Sequence, residues 1–323
     1  ETNESSVGIC CESCHLGGRE HAIHQKSIKF LPTSKFVKLL PRGNRDPLTD
    51  ARGNARTIQG VCIQCHCGSG LRYPNGSIKT NSSEGRDMLS GFCASEIKCI
   101  DCHDPHAAGQ KSGLPDLPHH VASCISCHEE YADAEFARKH SRHEASVNCL
   151  DCHMPKINQG LDDLVRTHRI MNPVEEVMVK NGSANGCNTC HLDKSTRWTL
   201  DELKIGWGRE FKVDSNWPIA SKIDVPLGDV WLDSDDNHLR LMAAQNASHS
   251  KSGVQFFDKV IHGLNDPEPI NRVFAGFAVQ KMLGRKDTEP LPVNIVLPPA
   301  ERRKQILEFL EEFKRVKAEL SME

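Results

Sequence analysis

The sequence predicts a mainly α-helical protein with extensive irregular structure, in which a loop-rich domain (residues 1–195) precedes an all-α domain (residues 196–323). Residues 1–192 are rich in Gly, Pro, Asn and Ser and have few periodic apolar runs, which favours loops joined by short helices. From residue 196 onward, apolar residues recur at helical intervals. Apolar residues make up only 38% of the chain and aromatic residues 5%. Something other than side chains is therefore expected to fill part of the interior.

Four helices are predicted in the second domain, and their apolar faces are expected to form a helical core. The third helix is expected to begin within Asp266–Ile270, because proline and acidic residues favour a first helical turn. The fourth is expected to begin near Pro299. The repeating positions of the four helices are Trp198, Leu200, Leu203 and Trp207; Leu239, Met242, Ala243 and Asn246; Val273, Phe274, Phe277, Ala278 and Met282; and Ile306, Leu307, Leu310, Phe313, Val316 and Leu320.

Cysteine is unusually abundant, and its arrangement is repetitive. Twelve of the 15 cysteines lie in six copies of the pattern Cys-x-x-Cys-His, whereas random placement would give roughly 0.04 copies. We number these motifs I to VI and call the histidine of each its proximal histidine. The motifs are I (Cys11, Cys14, His15), II (Cys62, Cys65, His66), III (Cys99, Cys102, His103), IV (Cys124, Cys127, His128), V (Cys149, Cys152, His153) and VI (Cys187, Cys190, His191).

Each motif predicts one covalently attached haem c. Two thiols at this spacing lie on one side of a helical turn and can add to the two vinyl groups of a haem, and the next residue ligates the iron. A zinc site would need four ligands and gives no reason for a histidine after the second cysteine in every copy. The pattern therefore favours six haems over zinc sites or a thioredoxin-like redox pair.

Three cysteines lie outside the motifs, namely Cys10, Cys67 and Cys93. They are expected to form one disulfide and leave one buried thiol. Cys67 and Cys93 are the favoured pair because Cys10 directly precedes a motif cysteine. An intermolecular bridge is the alternative.

Histidines outside the motifs are numerous enough to provide a second axial ligand for every haem. Eight of these eleven lie among the motifs, and six distal ligands are needed. We expect one ligand from the pair His119/His120 and one from the pair His140/His143. The predicted distal ligands are His21, His24, His106, His120, His143 and His168. The remaining three, His238, His249 and His262, are predicted to be surface residues.

Charge and hydropathy exclude several classes of partner. The formal net charge is −3 and the basic residues are dispersed, which gives no reason to expect nucleic-acid binding. No apolar stretch approaches the roughly 18–20 residues of a membrane span. Haem is attached to such motifs outside the cytoplasm, so an exported, periplasmic or extracellular protein is expected. Glu1 is interpreted as a mature N-terminus left by signal cleavage.

Several stretches share more than the motifs with a known class of protein. They are Gly8–His15 with His21, Cys99–His106, His140–His143 leading into Cys149–Pro155, Thr167–Ile170 before Pro173, and Cys187–Lys194 ahead of Trp198. Over residues 8–210 the sequence resembles exported multihaem c-type cytochromes in which the haem region is joined to helical repeats. The extra histidines of these stretches are usually distal ligands in that family. Residues 266–273 are similar to HEAT-like repeats.

The resemblance also implies a difference from the family. Its members often carry a further haem motif upstream, which this sequence lacks. One distal ligand is therefore expected to come from elsewhere, such as the His21/His24 pair or the C-terminal domain of a neighbouring molecule.

The sequence predicts an electron carrier that exchanges electrons with redox partner proteins and is not an enzyme. The alternative is a multihaem reductase or oxidase of small nitrogen or sulfur compounds, with one open haem site. Six haems in about 190 residues leave some haem edges near the surface. Self-association into an extracellular conducting filament is therefore also expected, with a soluble periplasmic shuttle as the alternative.

Overall fold

The computed structural model describes residues 11–15, 18–26, 55–106, 117–286 and 289–320. Within this part of the chain, the predicted fold class is confirmed, because the structure is mainly helical with much irregular backbone. Its α-helices are α1 (Cys11–Cys14), α2 (Arg19–His24), α3 (Ala55–Ile63), α4 (Glu84–Ser90), α5 (Leu117–Ile125), α6 (Ala134–Ser141), α7 (Cys149–His153), α8 (Glu176–Lys180), α9 (Thr196–Trp207), α10 (Leu227–Leu232), α11 (Asn237–His249), α12 (Phe257–His262), α13 (Pro269–Met282) and α14 (Pro299–Leu320).

The remaining regular structure is short. Strands β1 (Lys156–Gln159) and β2 (Leu164–Arg166) pair antiparallel, and Asn158 lies opposite Val165. Short 3₁₀ helices occur at Cys99–Asp101, Glu129–Ala132, Ala220–Lys222, Lys251–Phe256 and Gly263–Asn265. In the described part of the chain, no helix is both long enough and apolar enough to cross a membrane.

The helices of residues 1–195, which we call the haem region, are short, as predicted, and local side chains define their ends. Helix α6 is capped at its N-terminus by Asp133, whose carboxylate accepts the Phe136 N–H, and at its C-terminus by Arg142, which has a φ of 58°. Helix α7 begins at a reciprocal cap in which Asn148 accepts the Leu150 N–H at 2.9 Å and Asp151 accepts the Asn148 N–H at 3.0 Å. These caps position the chain around motif V and the histidines that precede it.

The four predicted C-terminal helices are confirmed as α9, α11, α13 and α14. Ser195 and Asp236 cap the first two by accepting backbone N–H groups, and α13 has proline in its first turn. Helix α11 packs against α10, α13 and β1. Three positions of the predicted apolar faces are exposed: Trp207 (42%), Val273 (36%) and Leu307 (51%).

The main hydrophobic core contains residues from both sides of residue 195. Trp231, Met242 and Phe274 are fully buried in it, and so are Ile157 and Leu192 from the haem region. The other fully buried side chains of this core include Met178, Leu227, Leu241, Ile261, Leu264 and Ile306. The helices therefore cover one flank of the haem region, and the proposed boundary at residue 195 remains a prediction.

His238 is not the surface residue that the sequence predicted. It is 4% exposed, and its Nε2 lies 2.6 Å from the Tyr73 hydroxyl and 2.9 Å from the Ile157 carbonyl oxygen. Burial lowers the pKa of His238 to about 4. The prediction was wrong because a polar partner 165 residues earlier in the chain satisfies the ring. His249 and His262 are exposed, as predicted.

Candidate haem-binding site

The motifs share one local geometry, a single helical turn that carries two thiols and ends on the histidine. In motifs II, III, IV and VI the histidine N–H donates to the carbonyl oxygen of the first cysteine, at 2.9, 2.9, 3.0 and 3.0 Å. Motif V coincides with α7, and the cysteines of motif I begin and end α1. Haem attachment requires this placement of thiols and imidazole.

Four proximal histidines each face another histidine at a constant distance. The pairs are His15 with His106, His103 with His168, His153 with His140, and His191 with His143; their ring centroids are 6.1, 6.2, 6.1 and 6.1 Å apart. This is too far for a direct hydrogen bond between the rings. A metal–imidazole bond of about 2.0 Å on each side of one metal ion places the two ring centroids about 6 Å apart. The residues therefore fit an iron with two axial histidines.

The second ring nitrogen of several of these histidines is held by an acceptor. The Nδ1 of His153 donates to the Met171 carbonyl oxygen at 2.8 Å. The Nδ1 atoms of His143 and His168 likewise face carbonyl oxygens, at 2.6 and 3.2 Å. A proton on Nδ1 leaves the Nε2 lone pair free to bind a metal, and such partners orient a ligand ring.

Neighbouring motifs lie close together in space. The thiols of Cys62 and Cys99 hydrogen-bond, which lowers the pKa of Cys62 to about 6 and raises that of Cys99. Cys124 and Cys149 form the same kind of pair, with the pKa of Cys149 lowered to about 6. Motifs II and III are therefore adjacent, and so are motifs IV and V.

Three further proximities connect the remaining motifs. Cys152 of motif V and Cys187 of motif VI interact electrostatically, and burial raises the pKa of Cys187 to about 12. Motif III approaches motif IV, because Cys102 acts on the Cys124 thiol. Motif I joins the series through His106, which follows motif III by three residues and faces the proximal histidine of motif I. The six motifs therefore form one connected series that branches at motif III, which neighbours motifs I, II and IV.

Among the predicted distal ligands, the structure brings His106, His143 and His168 opposite proximal histidines. His120 is placed differently: its ring is 6.1 Å from His103 but tilted by 58°, and its Nε2 contacts the Cys102 carbonyl oxygen at 3.0 Å. That contact uses the nitrogen that would bind a metal, so His168 is the better partner for His103.

Sequence reasoning missed His140. It took one ligand from the pair His140/His143, but both histidines face proximal histidines. The reason is the left-handed backbone of Arg142, which ends α6 and turns His143 toward motif VI while His140 faces motif V. The sequence gives no signal for a positive φ at an arginine.

His66 and His128 differ from the other proximal histidines. All 17 histidines of the chain lie within the described residues, and among them we find no ring facing His66 or His128 at the spacing of the four pairs. The Nδ1 of His66 instead lies 3.0 Å from the Glu84 carboxylate, and Tyr131 lies edge-on to His128 at 6.1 Å. His21 and His24 are exposed on α2.

Two tryptophans of α9 contact the haem region. Trp207 Nε1 donates to the His140 carbonyl oxygen at 2.8 Å, and the Arg142 guanidinium lies over its ring. The Trp198 ring lies 5.0 Å from that of His191. Helix α9 therefore supports the backbone of His140, which faces motif V, and contacts the histidine ring of motif VI.

The predicted Cys67–Cys93 disulfide is wrong, because both thiols are free. Cys67 Sγ lies 3.8 Å from the Arg86 guanidinium, whereas Cys93 interacts with Cys127 of motif IV. The two cysteines therefore face different neighbours. Cys10 lies outside the described residues.

Part of the chain matches a known protein family. Residues 128–204, less than half of the chain, match the model of the cytochrome c552 family, which comprises multihaem c-type cytochromes of the nitrite reductase type. The matched segment begins at His128 and includes motifs V and VI. No curated protein and no solved structure matches the chain.

The match supports a c-type cytochrome that binds haem covalently and transfers electrons. It also corrects one prediction. We expected an electron carrier that is not an enzyme, but members of the cytochrome c552 family are typically multihaem nitrite reductases, which are enzymes.

Proposed function

We propose that the chain holds six haems in one connected series and that electrons travel along it. The single observation that carries this proposal is the set of four histidine pairs with ring centroids 6.1–6.2 Å apart. The proximity of successive motifs, from Cys62 beside Cys99 to Cys152 beside Cys187, supports short distances between neighbouring haems. Haem iron, when bound, supplies a one-electron couple whose potential the protein sets through its axial ligands and their surroundings.

The protein's own contribution is to fix ligands and orientation. Twelve cysteines would form thioether bonds, and six proximal histidines would bind the irons. His106, His140, His143 and His168 would complete four of the six coordination spheres. Ring orientation comes from backbone carbonyl acceptors such as that of Met171, and preset ligands lower the structural change on each electron transfer.

A reductase is the second candidate function, and two observations favour it. His66 and His128 have no facing histidine at the spacing of the pairs, and an iron with an open axial position is what a substrate requires. The matched family model begins at His128, and its members are typically enzymes that reduce nitrite. We propose a small nitrogen oxyanion as the substrate class.

Haem counting and spin-state measurements test the electron-transfer proposal. Native protein should contain six haems by pyridine haemochromogen assay, and at least four should be low-spin with two histidine ligands by electron paramagnetic resonance. Fewer than four such haems would contradict the ligand assignment. A viologen-linked nitrite assay of the wild-type protein tests the reductase candidate. The variant His249→Gln, which changes an exposed histidine outside the haem region, is the control and should keep the wild-type rate.

Export, partner proteins and assembly complete the proposal. Covalent haem attachment supports a periplasmic or extracellular location, with redox partner proteins as donor and acceptor. The exposed His21, whose Nδ1 is held at 2.7 Å by the Lys26 carbonyl oxygen, supports ligation of a haem in a neighbouring molecule. Such a head-to-tail contact would build a conducting filament, which electron microscopy of native protein tests. Helices α9 to α14, within residues 196–323, would form the HEAT-like unit.

A further inference from the structure

The contact between Glu84 and His66 differs from the Nδ1 contacts of His143, His153 and His168. A second candidate ligand, His106, has a carboxylate oxygen of Asp104 3.8 Å from its Nδ1, which is beyond hydrogen-bond distance. The Nδ1 atoms of His143, His153 and His168 face neutral carbonyl oxygens. The Nδ1 of His66 instead faces a carboxylate oxygen, Glu84 Oε2, at 3.0 Å. A carboxylate accepts a stronger, charge-assisted hydrogen bond than a carbonyl and makes the imidazole a more basic ligand.

Two local features hold the Glu84 carboxylate in place. Its other oxygen, Oε1, accepts the Ser82 N–H at 2.8 Å, so both oxygens are engaged. Glu84 also begins α4, where the helix dipole favours an anionic side chain. The Glu84 side chain is 26% exposed and that of His66 is 56% exposed, so solvent partly screens this contact.

The same carboxylate acts on a second motif. Glu84 interacts electrostatically with His103, the proximal histidine of motif III, and with His168, which faces it. Helix α4 also carries Asp87, whose buried carboxylate accepts the Thr167 hydroxyl at 3.2 Å, directly before His168. Helix α4 therefore contacts His66 of motif II through Glu84. Through Asp87 it also holds the residue before His168, which faces His103 of motif III.

We propose that Glu84 is a positioning residue that fixes the Nδ1 tautomer of His66 and lowers the reduction potential of the haem on motif II. A negative charge close to a ligand stabilises the oxidised iron, which carries one more positive charge than the reduced iron. Through the same field, Glu84 lowers the potential of the haem on motif III to a smaller extent. The two haems form a low-potential region within the series, so electrons reside preferentially on the others.

This inference rests on the proposed attachment of a haem to motif II, and the experiment separates the two. The haem content of Glu84→Gln, Glu84→Asp and Glu135→Gln is first measured by intact mass. Glu135→Gln is the matched control, because it removes the same charge from an exposed glutamate of the haem region that pairs with Lys139. The potentials of the holoproteins are then measured by spectropotentiometric titration.

Glu84→Gln is expected to retain six haems and to lower the oxidised-to-reduced ratio of one haem at least tenfold at a fixed potential. For a one-electron couple, this corresponds to a rise of about 59 mV in the reduction potential of that haem. Glu84→Asp, which keeps the charge but shortens the side chain, should give an intermediate shift, and Glu135→Gln should leave the low-potential step unchanged.

Two outcomes have different meanings. A Glu84→Gln protein with six haems and a wild-type titration curve would overturn the role of Glu84. Wild-type protein without a haem on motif II would instead overturn the attachment on which the inference rests. If Glu84→Gln does not incorporate its haems, Glu84→Asp is the deciding variant. A wild-type reduction potential in Glu84→Asp would contradict the proposal that the position of the carboxylate sets the potential of this haem.

Discussion

His140 and His153 face each other with ring planes 7° apart and ring centroids 6.1 Å apart. His140 lies in the last turn of α6 and His153 is the proximal histidine of motif V. Met171 holds Nδ1 of His153, and Trp207 holds the backbone carbonyl of His140. This arrangement fits two axial ligands, one held through its ring nitrogen and the other through its backbone carbonyl.

Replacing His140 with methionine should raise the reduction potential of one haem. Methionine is a weaker donor to oxidised iron than imidazole, so a His/Met haem has a higher potential than a bis-His haem. Redox titration should show one step displaced upward and the others unchanged. His262→Met is the control, because His262 is exposed. A titration of His140→Met that matches wild type would remove His140 from the ligand set.

The covalent haem load should follow the motif cysteines and not the remaining ones. Intact protein should exceed the 35.9 kDa polypeptide by six haem masses, and acid–acetone should extract no haem. Cys190→Ser should leave one haem attached through a single thioether bond, which shifts its absorption maximum. Cys67→Ser should keep all six haems unchanged, because Cys67 lies outside the motifs. Loss of a haem from Cys67→Ser would contradict this division.

A buried asparagine should contribute to the stability of motif VI. Asn188 is fully buried; its amide donates to the carbonyl oxygens of His191 and Lys194, at 3.1 and 3.0 Å, and its carbonyl accepts the Thr199 hydroxyl at 2.6 Å. Asn188→Ala should lower the free energy of unfolding by about 1–3 kcal/mol, because buried groups lose their partners. Chemical denaturation measures this, and Asn216→Ala, at an exposed position, should cost less than about 0.5 kcal/mol.

His238 should make stability depend on pH below neutrality. Its pKa is lowered from 6.5 to about 4 by burial, so the unfolded chain binds a proton more readily than the folded protein between these values. The resulting stability is fully present above pH 6.5 and is lost as the pH falls toward 4, by up to about 3 kcal/mol.

The test compares wild type with His238→Gln by chemical denaturation at pH 7 and at pH 4.5. The difference in unfolding free energy between the two proteins should be larger at pH 7 than at pH 4.5. His262→Gln, at an exposed site, should show the same small difference at both values. An equal difference for His238→Gln at both values would exclude titration of His238 in this range.

The motifs and the C-terminal helices could be predicted because their signals are local. Two thiols and a histidine on one turn, or an apolar stripe along α13, depend on residues within a few positions of each other. The histidine pairs could not be predicted in full, because His103 and His168 meet only through tertiary structure. The same holds for His238, whose partner Tyr73 lies far away in sequence. The positive φ of Arg142, which turns His143 away from His140, could not be predicted, because nothing in the sequence distinguishes this arginine from others.

The last prediction concerns the irons that lack a facing histidine. An iron with two imidazoles has no free axial position, whereas an iron held by one proximal histidine binds an external ligand. The motifs of His66 and His128 are the sites at which we expect carbon monoxide to bind to the reduced protein. Difference absorption spectra should therefore show binding at one or two of the six haems and none at the other four.

A matched pair of variants checks the assignment. His143→Phe should open one further haem to carbon monoxide, because His143 faces His191 at 6.1 Å. His120→Phe should open none, because its Nε2 already contacts the Cys102 carbonyl oxygen. Binding of carbon monoxide to one more haem in His120→Phe would make His120 an axial ligand and leave fewer irons for a substrate. Wild-type protein that binds no carbon monoxide would exclude the reductase function, since a substrate would then have no iron to reach.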